Sequence, residues 1–382
     1  MYAASALPLT SLLPPMCNLP PYSLLFVATS FVVTVLITWV SMPWLLRLCK
    51  QRGLYDMPNE RKVHHNKVPR MGGVLFMPCA SIGMTATLLL MLALNAEPPG
   101  FKFSTVLVIT GIVLIYLIGL LDDVMGLNAN FKFVVQLVAS LFLPVCNLYI
   151  NNLYGFLGIY EVPIWVGYPL TVFISLLVVN AINLIDGIDG LSSSLCMLIL
   201  GIYTVVFLQL GVVIYSIFSI SLLGAVMVFF YFNMFGREDR MTKTFMGDTG
   251  SLILGYAIAF LSFKYAMDAP AVLPQRPVAI LFAFTLLIVP TFDLIRVAFG
   301  RLFRGEGIFT PDKTHIHHKF MAAGCSMRAA LCFIVLLQVA FNLMNLGLYH
   351  CGVDITLIVA ADVLLFTAVQ WTLTRLAKAR QA

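Results

Sequence analysis

The feature that most constrains this chain is a series of apolar runs, each close to twenty residues long. A helix needs about 20 apolar residues to cross ~30 Å of hydrocarbon, whereas a strand of a membrane barrel alternates over ~10 residues. The sequence therefore predicts an all-α integral membrane protein with about eleven transmembrane helices. The predicted spans are roughly 23–46, 72–94, 103–121, 131–150, 164–185, 188–208, 211–232, 250–267, 277–300, 327–348 and 353–374.

The composition agrees with this class. The 382 residues are 60% hydrophobic and 10% charged, against roughly 25% charged in soluble domains. The net charge of +6 does not by itself indicate nucleic acid, so no nucleic-acid partner is expected, and the lipid bilayer is the expected surrounding. The eight cysteines include no C-x-x-C pair, which favours neither a disulfide framework nor a cysteine metal site.

The distribution of basic residues predicts the orientation. If the gaps after every odd-numbered span face the cytoplasm together with the C-terminus, 20 of the 23 Lys and Arg lie on that side. Cytoplasmic loops are enriched in these residues, so we expect an outside N-terminus and a cytoplasmic C-terminus. The chain is expected to form a single polytopic domain, 1–382. Its cytoplasmic loops are expected at roughly 47–71, 122–130, 186–190, 233–249 and 301–326.

Two carboxylates three residues apart, Asp186 and Asp189, follow an apolar run in NAINLIDGIDGL, residues 180–191. On a helix, side chains at this spacing lie on one face. Because acids at a membrane edge are costly without a cation, a divalent metal or a basic partner is one interpretation. A polar loop that ends a helix is the other. Gly187 and Gly190 are expected to let a ligand approach the backbone closely.

A second acidic pair, Asp122 and Asp123, ends the third span. Neighbouring residues on a helix point ~100° apart, so these two side chains need not share a task. A solvated helix end is the alternative interpretation. Lys132 lies ten residues later. It is expected either to pair with an acid or a phosphate, or to extend along apolar surface to the interface.

A glycine-flanked acid, Asp248, opens the eighth span in FMGDTGS, residues 245–251. One interpretation is an N-cap for that helix, and the other is a metal ligand in an open turn. The positive end of the helix also favours an anion there. Asn233 and Phe245 flank the same loop, and an amide with an aromatic ring suits a nucleobase. Interfacial packing is the alternative for Phe245.

The most polar segment is TPDKTHIHHKF, residues 310–320, which holds three of the six histidines. His together with Lys and Arg suits phosphate groups. Zinc binding and a solvated basic loop are the alternatives, although a fourth zinc ligand at a typical spacing is missing. Arginines lie just upstream of the segment: Arg296, Arg301 and Arg304. The first loop holds a similar cluster with Lys67 and Arg70, for which ordinary positive-inside bias is the alternative.

All these motifs fall at the predicted cytoplasmic face, which is typical of an enzyme that meets a soluble substrate there. A transporter would place ionisable groups near the bilayer midplane and use interrupted helices. Pro290 and Asp293 in the ninth span are the only indication of that class. A scaffold or lipid-binding protein without turnover is the third interpretation.

Taken in order, the motifs LDD, NLIDGIDG, FMGDTGS and HIHH resemble the polyprenyl-phosphate N-acetylhexosamine-1-phosphate transferases. The resemblance extends from about Gly53 to Phe320, and HIHH in place of three consecutive histidines favours the undecaprenyl-phosphate N-acetylglucosamine-1-phosphate branch. It implies that a UDP-N-acetylhexosamine and undecaprenyl phosphate give undecaprenyl-diphospho-N-acetylhexosamine and UMP. It also implies Mg²⁺, with Mn²⁺ as a substitute, and a multi-pass enzyme of the bacterial inner membrane that feeds cell-wall, lipopolysaccharide or O-antigen assembly. A homodimer is compatible with it.

The resemblance further implies roles for individual residues. Asp248 and Asp123 would be metal ligands, and Asp122 would accept or hold the proton of the lipid phosphate. Direct attack and an aspartyl-phosphate intermediate are both compatible with these residues. The implied catalytic residues are Asp122, Asp123, Asp186, Asp189, His315, His317 and His318. The implied substrate-binding residues are Lys67, Lys132, Asn183, Asn233, Phe245, Arg301 and Arg304.

Overall fold

The fold is a set of helices joined by short connections. The computed structural model describes residues 19–56, 68–96, 102–269, 273, 276–307 and 314–381. The helices are α1 Ser23–Arg52, α2 Phe76–Ala93, α3 Phe103–Met125, α4 Ala129–Val145, α5 Ile164–Ile185, α6 Leu191–Gln209, α7 Val213–Phe235, α8 Gly247–Ala266, α9 Ala279–Thr285, α10 Ile288–Phe303, α11 Ile316–Ala322, α12 Met327–His350 and α13 Ile355–Gln381. Two short strands, β1 Tyr55–Asp56 and β2 Val68–Pro69, pair antiparallel. The prediction of an all-α membrane protein is confirmed.

The number of spans is close to the predicted number. In the part of the chain that the structure describes, nine helices are long and apolar enough to cross a membrane, or ten if the bent pair α9–α10 is one span. The fourth predicted span coincides with α4, whose 17 residues are at the short limit for a crossing. Eleven spans and their orientation therefore remain predictions.

The chain divides into two compact units. Within the described residues, the first comprises 19–142 and 192–258, and we call it the acidic unit because it carries Asp122, Asp123 and Asp248. The second comprises 143–191 and 259–381, and we call it the histidine unit because it carries the HIHH motif. Each candidate site below lies within one unit.

Helices α1, α2 and α7 pack closely in the acidic unit. Ser30 of α1 and Ser221 of α7 share a hydrogen bond of 2.5 Å between their hydroxyl groups. A side chain at Gly83 of α2 would overlap Thr34 of α1. Small residues at helix contacts are typical of membrane bundles, where packing and interhelical hydrogen bonds replace the hydrophobic effect.

The histidine unit contains a broken span. Helices α9 and α10 are bent by 69° at the connection between them, which lies close to Pro290. Gln338 of α12 bridges the break, since its Nε2 donates to Thr285 O at 2.8 Å and its Oε1 accepts from Val289 N at 3.1 Å. In a continuous helix Val289 N would donate to Thr285 O directly. The inserted side chain thus satisfies the two backbone groups that the bend separates.

Candidate active site

Asp123 caps the helix that carries Asp248. Its Oδ1 accepts from Asp248 N at 2.8 Å, and its Oδ2 accepts from Thr249 N at 2.9 Å and Thr249 Oγ1 at 2.6 Å. These backbone N–H groups belong to the first turn of α8 and have no partner within the helix. The N-cap interpretation of Asp248 is therefore wrong, because Asp123 of α3 supplies the cap from a distant part of the chain.

Arg70 completes the surroundings of Asp123. Its Nε and Nη2 both donate to Asp123 Oδ1 at 3.2 Å, and the Asp123 side chain is fully buried. Backbone pairing places this arginine, since Phe245 N donates to Pro69 O and Gly72 N donates to Phe245 O. Both oxygens of Asp123 are thus occupied by at least two donors each. The structure does not support the prediction that Asp123 is a metal ligand.

Lys132 joins the other two carboxylates of the acidic unit. Its Nζ donates to Asp122 Oδ2 at 2.9 Å and to Asp248 Oδ2 at 2.6 Å. The other oxygen of Asp122 accepts from Leu127 N at 2.7 Å. The prediction that Lys132 pairs with an acid is confirmed, and extension to the interface is wrong. Asp248 is the most open of the three carboxylates, with 22% of its side chain exposed against 5% for Asp122.

These five side chains form what we call the acidic cluster: Arg70, Asp122, Asp123, Lys132 and Asp248. Arg70 was not predicted as a site residue, although its place before Gly72-Gly73 was the available signal. The cluster holds three carboxylates and two basic side chains, so it has one net negative charge when all five are ionised. Asp122 and Asp248 converge on one point, which is now filled by Lys132 Nζ. That donor set fits Mg²⁺, which usually takes one or two carboxylates and completes its shell with water and phosphate oxygens.

The predicted nucleobase residues lie beside the acidic cluster in the same unit. Asn233 is buried, and its Nδ2 donates to Thr244 O at 2.9 Å. This bond fixes the backbone just before Phe245, whose ring is half-buried. Asn233 therefore holds the loop, and its described contact is with backbone.

The two acids of the DGIDG motif lie in a loop. Asp186 is the C-cap position of α5, and α6 begins at Leu191, so Asp189 is also outside a helix. The expectation that they share one helical face is wrong, and the prediction of a loop at 186–190 is confirmed. Asn183 occupies the last turn of α5, three residues before Asp186.

Gly187 lies against the ring of His317. A side chain at Gly187 would overlap the imidazole, with the closest approach at Nε2. The sequence predicted that this glycine admits a ligand to the backbone, but in the structure it admits a histidine of the same unit. The DGIDG and HIHH motifs thus meet in the histidine unit.

The three histidines are arranged around the start of α11. The rings of His315 and His317 are parallel within 6°, with centroids 5.8 Å apart, and the His317–His318 centroids are 4.2 Å apart. Nδ1 of His315 is 2.8 Å from Oδ2 of Asp293. Asp293 was predicted only as an indication of a transporter, so its contact with the histidine segment was missed.

His317 is the least satisfied group of the segment. Its side chain is 1% exposed, and neither ring nitrogen has a hydrogen-bond partner among the described residues. Burial, followed by His318 and His315, lowers the pKa of His317 to about 3. His317 is therefore neutral at physiological pH. A buried ring without partners is costly, and a bound ligand with donor or acceptor atoms would remove that cost.

Lys319 lies two residues after His317. Burial is the largest cause that lowers the pKa of Lys319, the positive charge of Arg296 is the next, and the pKa falls to about 8. A phosphate would favour its charged form. Among the described residues, no group of three or more His, Cys, Asp or Glu is arranged to hold a metal. The zinc interpretation of this segment therefore gains no support.

Three predicted substrate-binding residues remain, namely Arg301, Arg304 and Lys67. Arg301 is buried in α10, whereas Arg304 is exposed and pairs with Glu306 through two bonds of 2.9 Å. Lys67 and the segment 308–313 lie outside the described residues.

The fold and these sites define a class of protein. The family described as glycosyl transferase family 4 matches residues 105–266, which run from α3 to the end of α8. The chain is therefore a membrane-embedded transferase.

Similar proteins narrow the class. The chain is 30% identical to a probable undecaprenyl-phosphate N-acetylglucosaminyl 1-phosphate transferase of Bacillus subtilis, over 89% of this chain and 90% of that protein. It is 28% identical to undecaprenyl-phosphate alpha-N-acetylglucosaminyl 1-phosphate transferase of Escherichia coli K12, over 82% of each chain. It is 31% identical to decaprenyl-phosphate N-acetylglucosaminephosphotransferase of Mycolicibacterium smegmatis, over 79% and 77% respectively. The chain belongs to the polyprenyl-phosphate N-acetylhexosamine-1-phosphate transferases, and the transporter and scaffold interpretations are set aside.

Proposed function

We propose that this enzyme transfers N-acetylglucosamine-1-phosphate from UDP-N-acetylglucosamine to undecaprenyl phosphate and releases UMP. The observation that carries the proposal is the match over most of the chain to proteins named for this transfer. An oxygen of the lipid phosphate attacks the phosphorus next to the sugar. The bond from that phosphorus to the bridging oxygen breaks, and UMP leaves with that oxygen. The product is undecaprenyl-diphospho-N-acetylglucosamine.

The acidic cluster supports phosphoryl transfer because this chemistry depends mainly on positioning and charge neutralisation. Asp248 and Asp122 are the residues that would hold Mg²⁺ or Mn²⁺, which supplies positive charge to the phosphate oxygens when bound. A bound cation would take the place that Lys132 Nζ now occupies, 2.6 Å from Asp248 Oδ2, and the displaced ammonium group would be available to phosphate oxygens. We assign Asp123 to positioning, since it fixes the first turn of α8 and so the backbone at Asp248.

Only a small fraction of the lipid phosphate needs a general base to remove its proton. A phosphate monoester has a second pKa of about 6, so most of it has lost that proton at pH 7. We therefore propose that Asp122 acts chiefly by holding Lys132 and the cation. Removal of the remaining proton is its secondary task.

The histidine segment is proposed to bind phosphate oxygens of the substrates. His317 has two buried ring nitrogens without partners among the described residues, and Lys319 would gain a counter-ion. We also propose eleven spans with both sites facing the cytoplasm of a bacterial inner membrane, where UDP-sugars are available. The product would begin the membrane stage of a cell-envelope glycan.

The test is a purified assay in nanodiscs with undecaprenyl phosphate, Mg²⁺ and UDP-N-acetylglucosamine labelled in the sugar. We expect equal amounts of UMP and labelled lipid, and loss of both on chelation of divalent ions. UDP-N-acetylgalactosamine is the matched competitor. A higher kcat/KM with that donor would change the assigned sugar, and no UMP with either donor would overturn the proposal.

A further inference from the structure

Asp293 is a buried carboxylate at the base of the histidine segment. It lies in α10 with 1% of its side chain exposed. Its Oδ2 is 2.8 Å from His315 Nδ1, and its Oδ1 accepts from Ile316 N at 3.0 Å and from Arg296 Nη2 at 2.8 Å. A carboxylate this deeply buried is costly unless each oxygen has a partner, and here both oxygens have one.

These contacts determine which nitrogen of His315 can reach a substrate. The Arg296 guanidinium and the Ile316 N–H both donate to Oδ1 and favour the charged carboxylate, so Asp293 is ionised. His315 Nδ1 therefore carries a hydrogen and donates to Asp293. Nε2 is left to meet a ligand, as an acceptor in the neutral ring or as a donor in the protonated ring.

Asp293 and Arg296 together fix the backbone on both sides of His315. Ile316 N belongs to the first turn of α11, and its bond to Asp293 Oδ1 sets where that helix begins. Arg296 also donates to the carbonyl of Thr314, the residue before His315. The parallel ring of His317 follows two residues later. Asp293 and its partner Arg296 thus hold the backbone from Thr314 to Ile316.

We propose that Asp293 is a positioning residue of the transferase reaction, and that it holds His315 with Nε2 directed to the substrate phosphates. This inference rests on the proposed function, because that function makes phosphates the ligands of the histidine segment. Asp293 does not itself touch the substrate. Carboxylates that orient a ligating histidine in this way typically change activity by about 10–100-fold when removed.

A double-mutant cycle separates this role from a purely structural one. We expect Asp293→Asn to lower kcat/KM by about 10–100-fold in nanodiscs. In a His315→Gln background the same change should cost less than about threefold, because the group through which it acts is already absent. If the two single effects multiply in the double variant, or if Asp293→Asn retains wild-type turnover, the positioning role is rejected.

Asp362 provides a matched control in the same unit. It is fully buried in α13 and accepts from Asn345 Nδ2 at 2.8 Å. Asp362→Asn is the same chemical change in another buried site. We expect its effect on turnover, of whatever size, to multiply with that of His315→Gln. Equal coupling of both Asp→Asn variants to His315 would show that the cycle reports general destabilisation, and the proposal would fall.

A spectroscopic test needs no sugar donor and so separates failure of this inference from failure of the proposed function. In the full-length protein with ¹⁵N-labelled histidine, we expect a downfield proton on one histidine Nδ1. It should disappear in His315→Gln, which assigns it, and in Asp293→Asn. If Asp293→Asn does not fold, the first comparison decides alone. A His315 ring protonated only at Nε2 would overturn the inference even in an active enzyme.

Discussion

At the scale of residues, the carboxylates of the acidic cluster differ in their surroundings. Asp123 is fully buried and gives its oxygens to Arg70 and to the start of α8. Asp248 is partly exposed and contacts Lys132 through its Oδ2. Two acids in one cluster therefore have different tasks, because one is surrounded by fixed donors and the other faces an opening.

Asp→Asn substitutions at Asp248 and Asp123 should separate these tasks. Asp248→Asn leaves the cap of α8 intact, so we expect normal folding and turnover reduced by at least 100-fold. Asp123→Asn weakens the cap and removes the carboxylate that Arg70 contacts at 3.2 Å, which leaves the longer ion pair with Asp122 Oδ2 at 3.8 Å. Lost caps cost about 1 kcal/mol, and a broken buried ion pair costs about 3–5 kcal/mol. Thermal melting and turnover measure the two effects. A stable Asp123→Asn variant, or an active Asp248→Asn variant, would contradict this division.

A methyl group at Gly187 should displace the His317 ring. We expect Gly187→Ala to destabilise the protein by about 1–3 kcal/mol, the usual cost of overpacking, and to lower kcat/KM. Gly201→Ala in α6 is the matched control, since among the described residues a Cβ there has only Leu223 of α7 as a neighbour, at 4.0 Å. That control should be neutral or slightly stabilising because Ala favours helix. Unchanged activity in Gly187→Ala would mean that the position of His317 does not matter.

The lowered pKa of His317 predicts a pH-dependent stability. Above its ordinary value of about 6.5 the ring is neutral in both states and contributes no slope. As pH falls below 6.5, the unfolded chain binds a proton that the folded chain refuses until pH approaches 3. Stability is therefore lost on acidification across this window. At pH 4.5 the loss is on the order of 3 kcal/mol.

His317→Gln should remove that part of the slope. Comparing the melting temperatures of wild type and variant at pH 7.5 and 4.5 measures the difference. The variant should lose less stability on acidification than the wild type does. Equal losses of stability in the wild type and the variant would show that His317 is readily protonated in the folded state.

The sequence motifs predicted which side chains of the acidic cluster lie close together, but not all the contacts that they make. They picked out Asp122, Lys132 and Asp248, whose side chains do converge. They could not show that the cap of α8 comes from Asp123, because 125 residues separate the partners. Capping rules consider only nearby positions. The same limit hid the contact between Gly187 and His317.

At the scale of elements, the bend between α9 and α10 depends on one side chain of another helix. Gln338→Leu should leave Val289 N without its partner and remove one donor from Thr285 O, which keeps the side-chain amide of Asn342 at 3.1 Å. Each such buried group costs about 1–3 kcal/mol, so we expect a clear fall in melting temperature. Leu336→Ala, on the exposed side of α12, is the control and should change little. A fully stable Gln338→Leu variant would mean that the backbone groups at the bend find other hydrogen-bond partners.

Element types were predictable, and element ends and breaks were less so. Hydrophobic length identified every long helix because a membrane span has a fixed minimum length. The run at 277–300 contains Pro290, and the span bends by 69° close to this residue. The sequence did not predict that Gln338 of α12 would bridge the bend. The pair Asp186 and Asp189 was assigned a helical face, yet α5 ends at Ile185.

At the scale of the whole molecule, the distribution of basic residues makes orientation testable. In a cysteine-free background, a cysteine at Arg304 should react with an impermeant maleimide only after the membrane is opened. Arg304 is exposed at the end of α10. Tyr160→Cys is the matched control, because Tyr160 is 64% exposed in a gap predicted to face outside. The reverse pattern would invert the topology and place both candidate sites on the wrong side for a UDP-sugar.

The order of motifs predicted the family, while three-dimensional grouping required the structure. Four short motifs in sequence order identified the transferases, although each alone is common. They do not reveal that two of them, DGIDG and HIHH, meet in one unit through Gly187 and His317. The sign of this contact in the sequence is Gly187, whose lack of a side chain leaves room for the His317 ring.

The bridge at the α9–α10 break has a consequence for biosynthesis. Gln338 lies 49 residues after Val289, so both halves of the bent span are made before their bridging side chain exists. Until α12 has been synthesised, Thr285 O and Val289 N have no partner in the bilayer. The nascent segment must then remain in a wet or protein-lined environment, such as the insertion machinery, or stay straight. Its final bent form is available only after α12 has joined the membrane.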